Sequence, residues 1–259
     1  MAQIKVKGIV IQQDPMGEKD KRLLVLTGDM GKIPVLAKGA KSQSGRFAAP
    51  SQLFCYSSFV LDRGKTFYYI KEYEILESFY GLRSNVDVLA YASIMLELSR
   101  GFSVDGEDNS DLVRLLLYGL HALEQKDADP YLIAQTFMLR LMSDSGFRPE
   151  LDRCLRCGRS YDQTDGWHFR EEEGGLVCPA CMGAGLRSLR PGAVAAMRYM
   201  IDAPVQKVYK FTISDEIRQQ IKQPIRSYTV MNLGMPLKSL AFAENVENMD
   251  LKARPVIDN

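Results

Sequence analysis

Four of the five cysteines in this 259-residue sequence stand in two closely spaced pairs. Cys154 and Cys157 form one C-x2-C pair, and Cys178 and Cys181 form a second after an interval of about twenty residues. Two thiolates three positions apart can bind one ion from a single turn, and a second such turn completes a tetrahedron of sulfur around Zn²⁺. Because four sulfur ligands leave no position for water or substrate, the spacing predicts a structural zinc finger.

Two other interpretations of the cysteine pairs stay open. Two small disulfides would need an oxidising compartment, and a redox-active C-x-x-C pair would need a thioredoxin-like setting. The insert between the pairs predicts a short hairpin. Its hydrophobic residues and its turn or bulge glycines are Trp167, Phe169, Leu176, Val177, Gly174 and Gly175.

Other residues that could bind a metal are expected to be core or solvent-exposed residues without a ligand role. His168 is expected to be a loop residue, and His121, in a helical stretch, a packed or solvated one. Cys55 is expected to be a small core residue of a strand. The acidic run 171–173 is expected to be a solvated edge of the zinc loop.

The first 76 residues predict an all-β domain. Turn residues separate five candidate strands, at 4–13, 21–27, 32–39, 51–62 and 65–76. Five strands of this length suit a small closed barrel, and an OB-type barrel is favoured. By period two, one face of the last strand carries Phe67, Tyr69, Lys71, Tyr73 and Ile75. Most of these aromatic rings are expected in the core, with one or two exposed for stacking.

From about residue 82 the pattern becomes helical. The predicted helices lie at 86–102, 110–127, 129–146, 191–203, 214–223 and 224–242. Asn109 or Ser110 is placed to cap the second, and Asp129 with Pro130 begins the third, which Gly146 ends. Residues 244–259 are polar and are expected to fray.

The predicted fold class is therefore α+β, with an N-terminal OB-fold barrel and a helical domain that carries an inserted four-cysteine zinc finger. The expected domains are the barrel at 1–80, the helical domain at 81–153 and 182–243, the finger at 154–181 and a flexible tail at 244–259.

Charge is segregated along the chain although the net charge is only +1. Between Met30 and Leu61 there are four cations and no acidic residue, which favours an anionic partner. The candidate DNA-binding residues are Lys32, Lys38, Lys41 and Arg46, followed by Lys19, Lys21 and Arg22. A solvated surface is the alternative for any single one of these charges.

Several classes of protein do not fit the sequence. There is no apolar run long enough for a membrane helix and no signal-peptide pattern, so a cytoplasmic location is expected. Phosphate-binding, nucleophile-elbow, metalloprotease and dinucleotide motifs are missing from the sequence, so an enzyme is not expected.

Two longer runs carry a family resemblance. GEKDKRLLVLTGDMGKIPVLAKGAK at 17–41 is followed by FMLRLMSDSGFRPELDRCLRCG and then GGLVCPAC, and their order and spacing resemble the RecO family of bacterial recombination mediators over essentially the whole chain. The resemblance implies a non-enzymatic protein of RecF-pathway DNA repair that binds single- and double-stranded DNA and anneals complementary strands. It also implies RecR and the acidic C-terminal tail of single-strand-binding protein (SSB) as partners, RecA loading, and possible indirect contact with RecF.

A pocket for the acidic tail needs apolar walls and one or two cations. The candidates are Arg198, Lys207, Lys210 and Arg226 beside Met197, Tyr199, Met200, Tyr209 and Phe211, with core packing as the alternative. Two other functions stay open: a zinc-ribbon adaptor that bridges proteins in transcription or ribosome assembly, and a zinc-dependent hydrolase or deaminase. Strand annealing by the purified protein separates the mediator from the adaptor.

Overall fold

The computed structural model describes residues 3–125, 128–182 and 188–253. The chain divides into two compact units, Met1–Glu124 and Gln125–Asn259. Strands come first and helices follow, so the predicted α+β class is confirmed.

The first unit contains a closed five-stranded barrel. Its strands are β1 (Gln3–Met16), β2 (Asp20–Thr27), β3 (Gly31–Ala37), β4 (Tyr56–Arg63) and β5 (Tyr68–Glu77). The order around the barrel is β1-β2-β3-β5-β4, with β4 pairing back to β1 and β3 running parallel to β5. This is the Greek-key arrangement of an OB-type barrel. Inward-facing aliphatic side chains such as Val10, Val25 and Leu61 fill its core.

The fourth strand begins later than predicted. Residues 51–54 form turns, and β4 begins at Tyr56. Phe54 is fully buried in the left-handed region, with φ at 72°, and its N–H donates to Val10 O. Cys55 is buried as predicted, although it lies just before the strand. Local hydrophobicity predicted a strand here, but the backbone forms a turn in which Cys55 N donates to Gln52 O.

The prediction that the last strand alternates regularly is wrong. Its register against β4 shifts between Val60, opposite Glu72, and Leu61, opposite Ile70. Lys71 is therefore an extra, bulged residue, and a bulge reverses which parity faces inward. Ile70 lies in the barrel core, and Tyr73 also packs against that core.

Two helices complete the first unit, α1 (Val86–Phe102) and α2 (Ser110–Gln125). The side chain of Asn85 accepts from Asp87 N and Val88 N and so caps α1, which packs against β1. Asn109, a predicted cap of α2, instead bonds through its amide to Val104 and to Glu107 O and so holds the α1–α2 loop. Residues 126 and 127, the predicted end of α2, lie outside the described part of the chain.

The second unit is helical with a small two-stranded insert. Its elements are α3 (Pro130–Asp144), β6 (His168–Arg170), β7 (Gly175–Val177), α4 (Pro179–Met182), α5 (Pro191–Asp202), α6 (Asp215–Leu233) and α7 (Lys238–Ala253). Asp129 caps α3 through Tyr131 N, Pro130 occupies its first turn, and Gly146 follows its end with φ at 90°, as predicted. Helix α3 is buried along most of its length and packs against α5 and α6.

Two predictions about the last helices are wrong. The segments 214–223 and 224–242 do not meet at Pro224, because α6 continues through it to Leu233 and ends at the left-handed Gly234. The chain also does not fray at residue 244, since α7 extends to Ala253, with Val246 buried and Glu244 bonded to Arg226. The predicted tail beyond Ala253 lies outside the described residues. Across the described chain, none of the helices combines the length and apolar character that a bilayer crossing requires.

Candidate metal centre and nucleic-acid interface

The four paired cysteines converge in the second unit. The Sγ atoms of Cys154, Cys157, Cys178 and Cys181 all lie within 4.8 Å of one another, and Cys157 Sγ is 3.7 Å from Cys178 Sγ. Ligands at the usual Zn–S length of about 2.3 Å in a tetrahedron are separated by roughly 3.8 Å. The cluster therefore has the size and donor set for a tetrahedral metal ion.

Backbone N–H groups surround the first thiol. Arg156 N and Cys178 N each lie 3.4 Å from Cys154 Sγ. Gly158 follows the first pair in the left-handed region, with φ at 72°, and its N–H donates to Cys154 O, which closes the tight turn. Two such turns, contributed by the two C-x2-C pairs, place all four sulfurs on one centre.

The thiols do not ionise alike. Burial raises the pKa of Cys154, but N–H donors from Cys178, Cys157 and Arg156 outweigh it and lower the pKa to about 6. Hydrogen bonding with the thiols of Cys157 and Cys178 raises the pKa of Cys181 to about 12. Without a cation the cluster therefore resists becoming four thiolates, and a bound dication would supply the compensating charge.

The insert between the cysteine pairs is the predicted hairpin. β6 pairs antiparallel with β7, and Gly174, with φ at 67°, lies in the turn. Trp167 is fully buried and its indole N–H donates to Tyr161 O, while Phe169 packs edge-on against Tyr228 of α6 at 5.4 Å. The insert therefore has a small core of its own beside the four cysteines.

The polar residues of this region form a solvated edge. Arg170 forms ion pairs with Glu172 and Glu173, and Glu173 also pairs with Arg156. His168 is buried within β6 and is not one of the converging ligands, and His121 is exposed on α2. The prediction that His168 is a loop residue is therefore wrong, whereas His121 is a solvated helix residue, as predicted.

Lys32, a predicted DNA-binding residue, is engaged inside the first unit. Its Nζ donates to Arg100 O at 2.9 Å and Ser103 O at 3.1 Å, and it lies 3.7 Å from an Asp105 carboxylate oxygen. These carbonyl oxygens belong to the end of α1, where a cation also complements the helix dipole. Lys32 therefore stabilises the helix terminus.

The cations around the β1–β2 turn are partly neutralised. Arg22 pairs with Asp14 at 2.9 Å, which lowers the pKa of Asp14. Lys21 donates to Gln13 Oε1, and burial lowers its pKa. Two of the three cations, Lys21 and Arg22, are therefore bonded to residues of β1, and Lys19 is exposed.

The loop after β3 carries the other predicted cations. Lys41 donates to Gly17 O at 2.5 Å and ties this loop to the β1–β2 turn. Lys38 is exposed, and its Nζ lies 5.2 Å from the centre of the Tyr69 ring. Arg46 donates to Lys71 O at 3.0 Å and lies over the Phe47 ring.

Lys38 and Arg46 open onto a groove of ≈ 1210 Å³ at one end of the barrel, here called the barrel groove. Three further cations of its lining, all exposed, were not among the predicted DNA-binding residues: Arg63, Lys65 and Lys71. The groove also contains the rings of Phe47, Phe67 and Tyr69, and Asp62 is the acidic residue of the lining. The turn sequence DRGK at 62–65 is a sequence signal for two of these cations, Arg63 and Lys65.

The predicted acidic-tail pocket is divided by the structure. Met197, Met200 and Tyr209 are buried, and Arg226 is 4% exposed and bonded to Glu244. The members that share an open cleft, of ≈ 320 Å³, are Arg198, Tyr199 and Lys207. The rings of Tyr199 and Phe211 pack in a tilted arrangement with centroids 4.8 Å apart, and the Tyr199 hydroxyl donates to Lys207 O. Arg198 stacks on Tyr161 and pairs with Asp152, and Lys210 is exposed nearby in sequence.

Comparison with known proteins covers both halves of the chain. The family model described as "Recombination protein O N terminal" matches residues 1–79, and the one described as "Recombination protein O C terminal" matches residues 83–241. A protein of Alkaliphilus metalliredigens named "DNA repair protein RecO" is 31% identical over 94% of this chain and 99% of its own length. Proteins of the same name from Symbiobacterium thermophilum and Bacillus pumilus are 32% and 31% identical, over 96% and 95% of this chain and 99% and 95% of their own lengths.

Proposed function

Since the chain belongs to the RecO family of DNA repair proteins, we propose that it is a non-enzymatic mediator of recombinational repair. It binds single- and double-stranded DNA, anneals complementary strands, and works with RecR to load RecA onto strands coated by SSB. The observation that carries this proposal is the barrel groove, in which five cations and three aromatic rings surround one acidic side chain. Its place of action is the cytoplasm, at the nucleoid.

Phosphate neutralisation is the proposed basis of DNA binding. Lys38, Arg46, Arg63, Lys65 and Lys71 in the groove are the leading contacts. Lys41 and Lys19 beside it, and then Lys21 and Arg22, form a second group. Lys32 is the weakest candidate, because its ammonium already bonds to the end of α1. Backbone contacts carry no sequence information, so the binding is expected to tolerate any sequence.

The metal of the cysteine cluster is proposed to be Zn²⁺ in a structural role. Cys154, Cys157, Cys178 and Cys181 would hold it, and four sulfur ligands leave no coordination position for substrate. Such an ion supplies order to a short insert that has only a small core of its own. This donor set also favours a mediator over a zinc-dependent hydrolase or deaminase.

The proposed site for the acidic SSB tail is the cleft lined by Arg198, Tyr199 and Lys207. Tyr199 and its partner Phe211 provide an apolar wall, and Lys207 provides an exposed cation. Met197 and Met200 form the core behind the cleft. RecR is the proposed direct protein partner, and RecF and RecA are proposed to be reached indirectly.

A salt titration tests the DNA contacts. Lys38→Ala should weaken binding to all sequences and lower the slope of log affinity against log salt by about 0.7–0.9, the value for one released counterion. Lys41→Ala should do the same, because the Lys41 side chain is exposed although its ammonium donates to Gly17 O. Unchanged affinity and slope in both variants would remove this surface from the proposal.

An annealing assay with purified protein and complementary oligonucleotides tests the function itself. A mediator that screens the phosphates of two strands accelerates their pairing, whereas an adaptor that bridges proteins does not. The reaction should slow as salt rises. A rate equal to that of the strands alone, at low salt, would favour the adaptor.

Calorimetry with an acidic tail peptide tests the cleft. Lys207→Glu places a like charge in the cleft and should abolish measurable binding. Lys210→Glu adds the same charge outside the cleft lining and should weaken binding much less. Equal effects of the two substitutions on peptide affinity would contradict the assignment of the tail site to this cleft.

A further inference from the structure

Building on the proposed DNA binding, we propose that the barrel groove is a site for single-stranded DNA, in which Phe67 and Tyr69 stack unpaired bases while the surrounding cations hold the phosphates of the same strand. Double-stranded DNA would use the cations alone. The two aromatic rings, and not the charges, would thus discriminate between single-stranded and double-stranded DNA.

An opening in the barrel creates the groove. β3 and β5 pair only at Val35 with Tyr68 and Leu36 with Tyr69, after which β3 ends at Ala37 and the strands part. Across this opening Arg46 donates to Lys71 O, so a loop cation satisfies a carbonyl that has no neighbouring strand there. A long side chain in place of a strand leaves room for a ligand beside β5.

Two rings stand at the rim of the opening. Tyr69 and Phe67 are each half-buried, which fixes the rings while leaving part of their surface in the groove. Gly64 lets the β4–β5 turn close against Tyr69, because a Cβ at this position would lie 2.6 Å from the ring. Gly64 N also donates to Phe67 O at 3.0 Å, which holds the turn that presents Phe67.

Cations flank these rings on both sides along the chain. Arg63 ends β4, Lys65 lies in the β4–β5 turn, and Lys71 follows in β5. Lys38 already lies over the Tyr69 ring at 5.2 Å, so an ammonium and a π surface are available at the same place. Alternating cations and rings match the alternating phosphates and bases of a single strand.

A duplex cannot use the rings in this way, because its bases already stack on one another and their faces are covered. It can still contact the cations through its phosphates. Loss of the rings should therefore change single-strand affinity selectively.

The test compares three probes of equal length in the full-length protein: an oligothymidylate, an abasic oligonucleotide and a duplex. Combined Phe67→Leu and Tyr69→Leu should lower oligothymidylate affinity by about tenfold or more. Affinity for the abasic strand and the duplex, and the salt slope of each, should stay unchanged. Tyr80→Leu, which removes an exposed ring outside the groove, is the matched control and should change none of the three.

An equal loss for the oligothymidylate and the abasic strand, or no loss for either, would overturn the stacking site. Lys65→Ala distinguishes failure of the stacking proposal from failure of DNA binding at the groove. If this substitution weakens binding of all three probes and lowers their salt slopes, the groove binds DNA even when the rings do not stack bases. Wild-type protein that binds none of the probes would overturn the proposed function together with this inference.

A second variant guards against misfolding. Tyr69→Trp keeps an aromatic ring in place, and its fluorescence should be quenched by the oligothymidylate but not by the duplex. Quenching by neither, or by both alike, would contradict stacking at this position.

Discussion

Single residues show how the same charge can serve two purposes. Lys32 and Lys65 are both lysines of the barrel, but Lys32 donates to two carbonyl oxygens at the end of α1, whereas Lys65 is exposed in the barrel groove. A buried or bonded ammonium contributes to stability, and an exposed one is available to a ligand. Sequence composition treats them alike.

We expect Lys32→Ala to lower the free energy of unfolding by about 1–3 kcal/mol, because it removes charge-assisted hydrogen bonds and leaves carbonyl oxygens unpaired. The salt slope of DNA binding should not change. Lys65→Ala, the matched variant, should lower the slope by about 0.7–0.9 with little effect on stability. Urea denaturation and DNA titration of both variants measure this, and a reduced slope for Lys32→Ala would restore Lys32 to the DNA contacts.

At the scale of elements, helix α6 tolerates a residue that usually ends helices. Pro224 lies within α6 and supplies no N–H for the intrahelical bond at its position. The flanking turns persist because Ile221, Ile225 and Tyr228 are buried on one face. Tertiary burial of that face therefore outweighs the local cost of proline.

Pro224→Ala should accordingly raise the free energy of unfolding by about 1–3 kcal/mol, because alanine restores a backbone hydrogen bond and removes the ring clash. Gln219→Ala, at an exposed position of the same helix, reports the effect of alanine propensity alone and should change stability much less. Denaturant unfolding of both variants tests this. Destabilisation by Pro224→Ala would mean that a proline-induced bend is required by the packing of α6.

The insert between the cysteine pairs is the second element whose stability can be assigned to particular groups. Trp167, the single tryptophan of the sequence, is fully buried in it and bonded to Tyr161 O. Its fluorescence therefore reports on the order of the insert and not on the barrel.

Removal of the metal by a chelator, or substitution Cys157→Ser, should shift Trp167 fluorescence to the red as the indole becomes hydrated. Metal content should fall from one ion per chain, because a three-sulfur site binds more weakly. Cys55→Ala is the control, since Cys55 is buried in the first unit and is not a ligand. An unchanged emission spectrum after complete metal removal would mean that the hydrophobic residues of the insert suffice to order it.

At the scale of the whole molecule, the compact units do not follow the change from strands to helices. That change lies near residue 80, but the first unit continues to Glu124. Ile9 and Leu26 are fully buried although neither belongs to the barrel core, and α1 packs against β1. Gly31, with φ at 67°, lies so close to Val104 O that an added Cβ would be 2.4 Å away. Helices α1 and α2 are thus part of the same folding unit as the barrel.

A fragment ending at Glu124 should therefore unfold cooperatively and retain the salt-dependent DNA binding of the groove. A fragment ending at residue 80 should aggregate or unfold at lower denaturant concentration, because it exposes Ile9 and Leu26 and leaves Lys32 without its carbonyl partners. Circular dichroism during urea titration, with DNA titration of the folded species, measures both. Equal stability of the two fragments would contradict a shared core.

Regularities that span a few residues were sufficient for much of this protein. The two C-x2-C pairs predicted that four thiols converge on one centre, because each pair fixes two of them through one local turn. Alternation and turn residues predicted five strands, helical spacing predicted α1 at 86–102, and Asp129 with Pro130 predicted the start of α3. In each case the residues that determine the structure are neighbours in sequence.

Features that depend on distant partners were decided by the tertiary structure. The bulge at Lys71 arises from pairing with β4, the bonded state of Lys32 arises from the end of α1, and α6 continues through Pro224 because its buried face packs against α3. The groove exists because β3 and β5 part after Leu36, which brings Lys38 and Arg46 beside the β4–β5 turn. Sequence determined which cations and rings the chain contains, and long-range pairing determined which of them face a ligand, because exposure depends on contacts that local patterns do not encode.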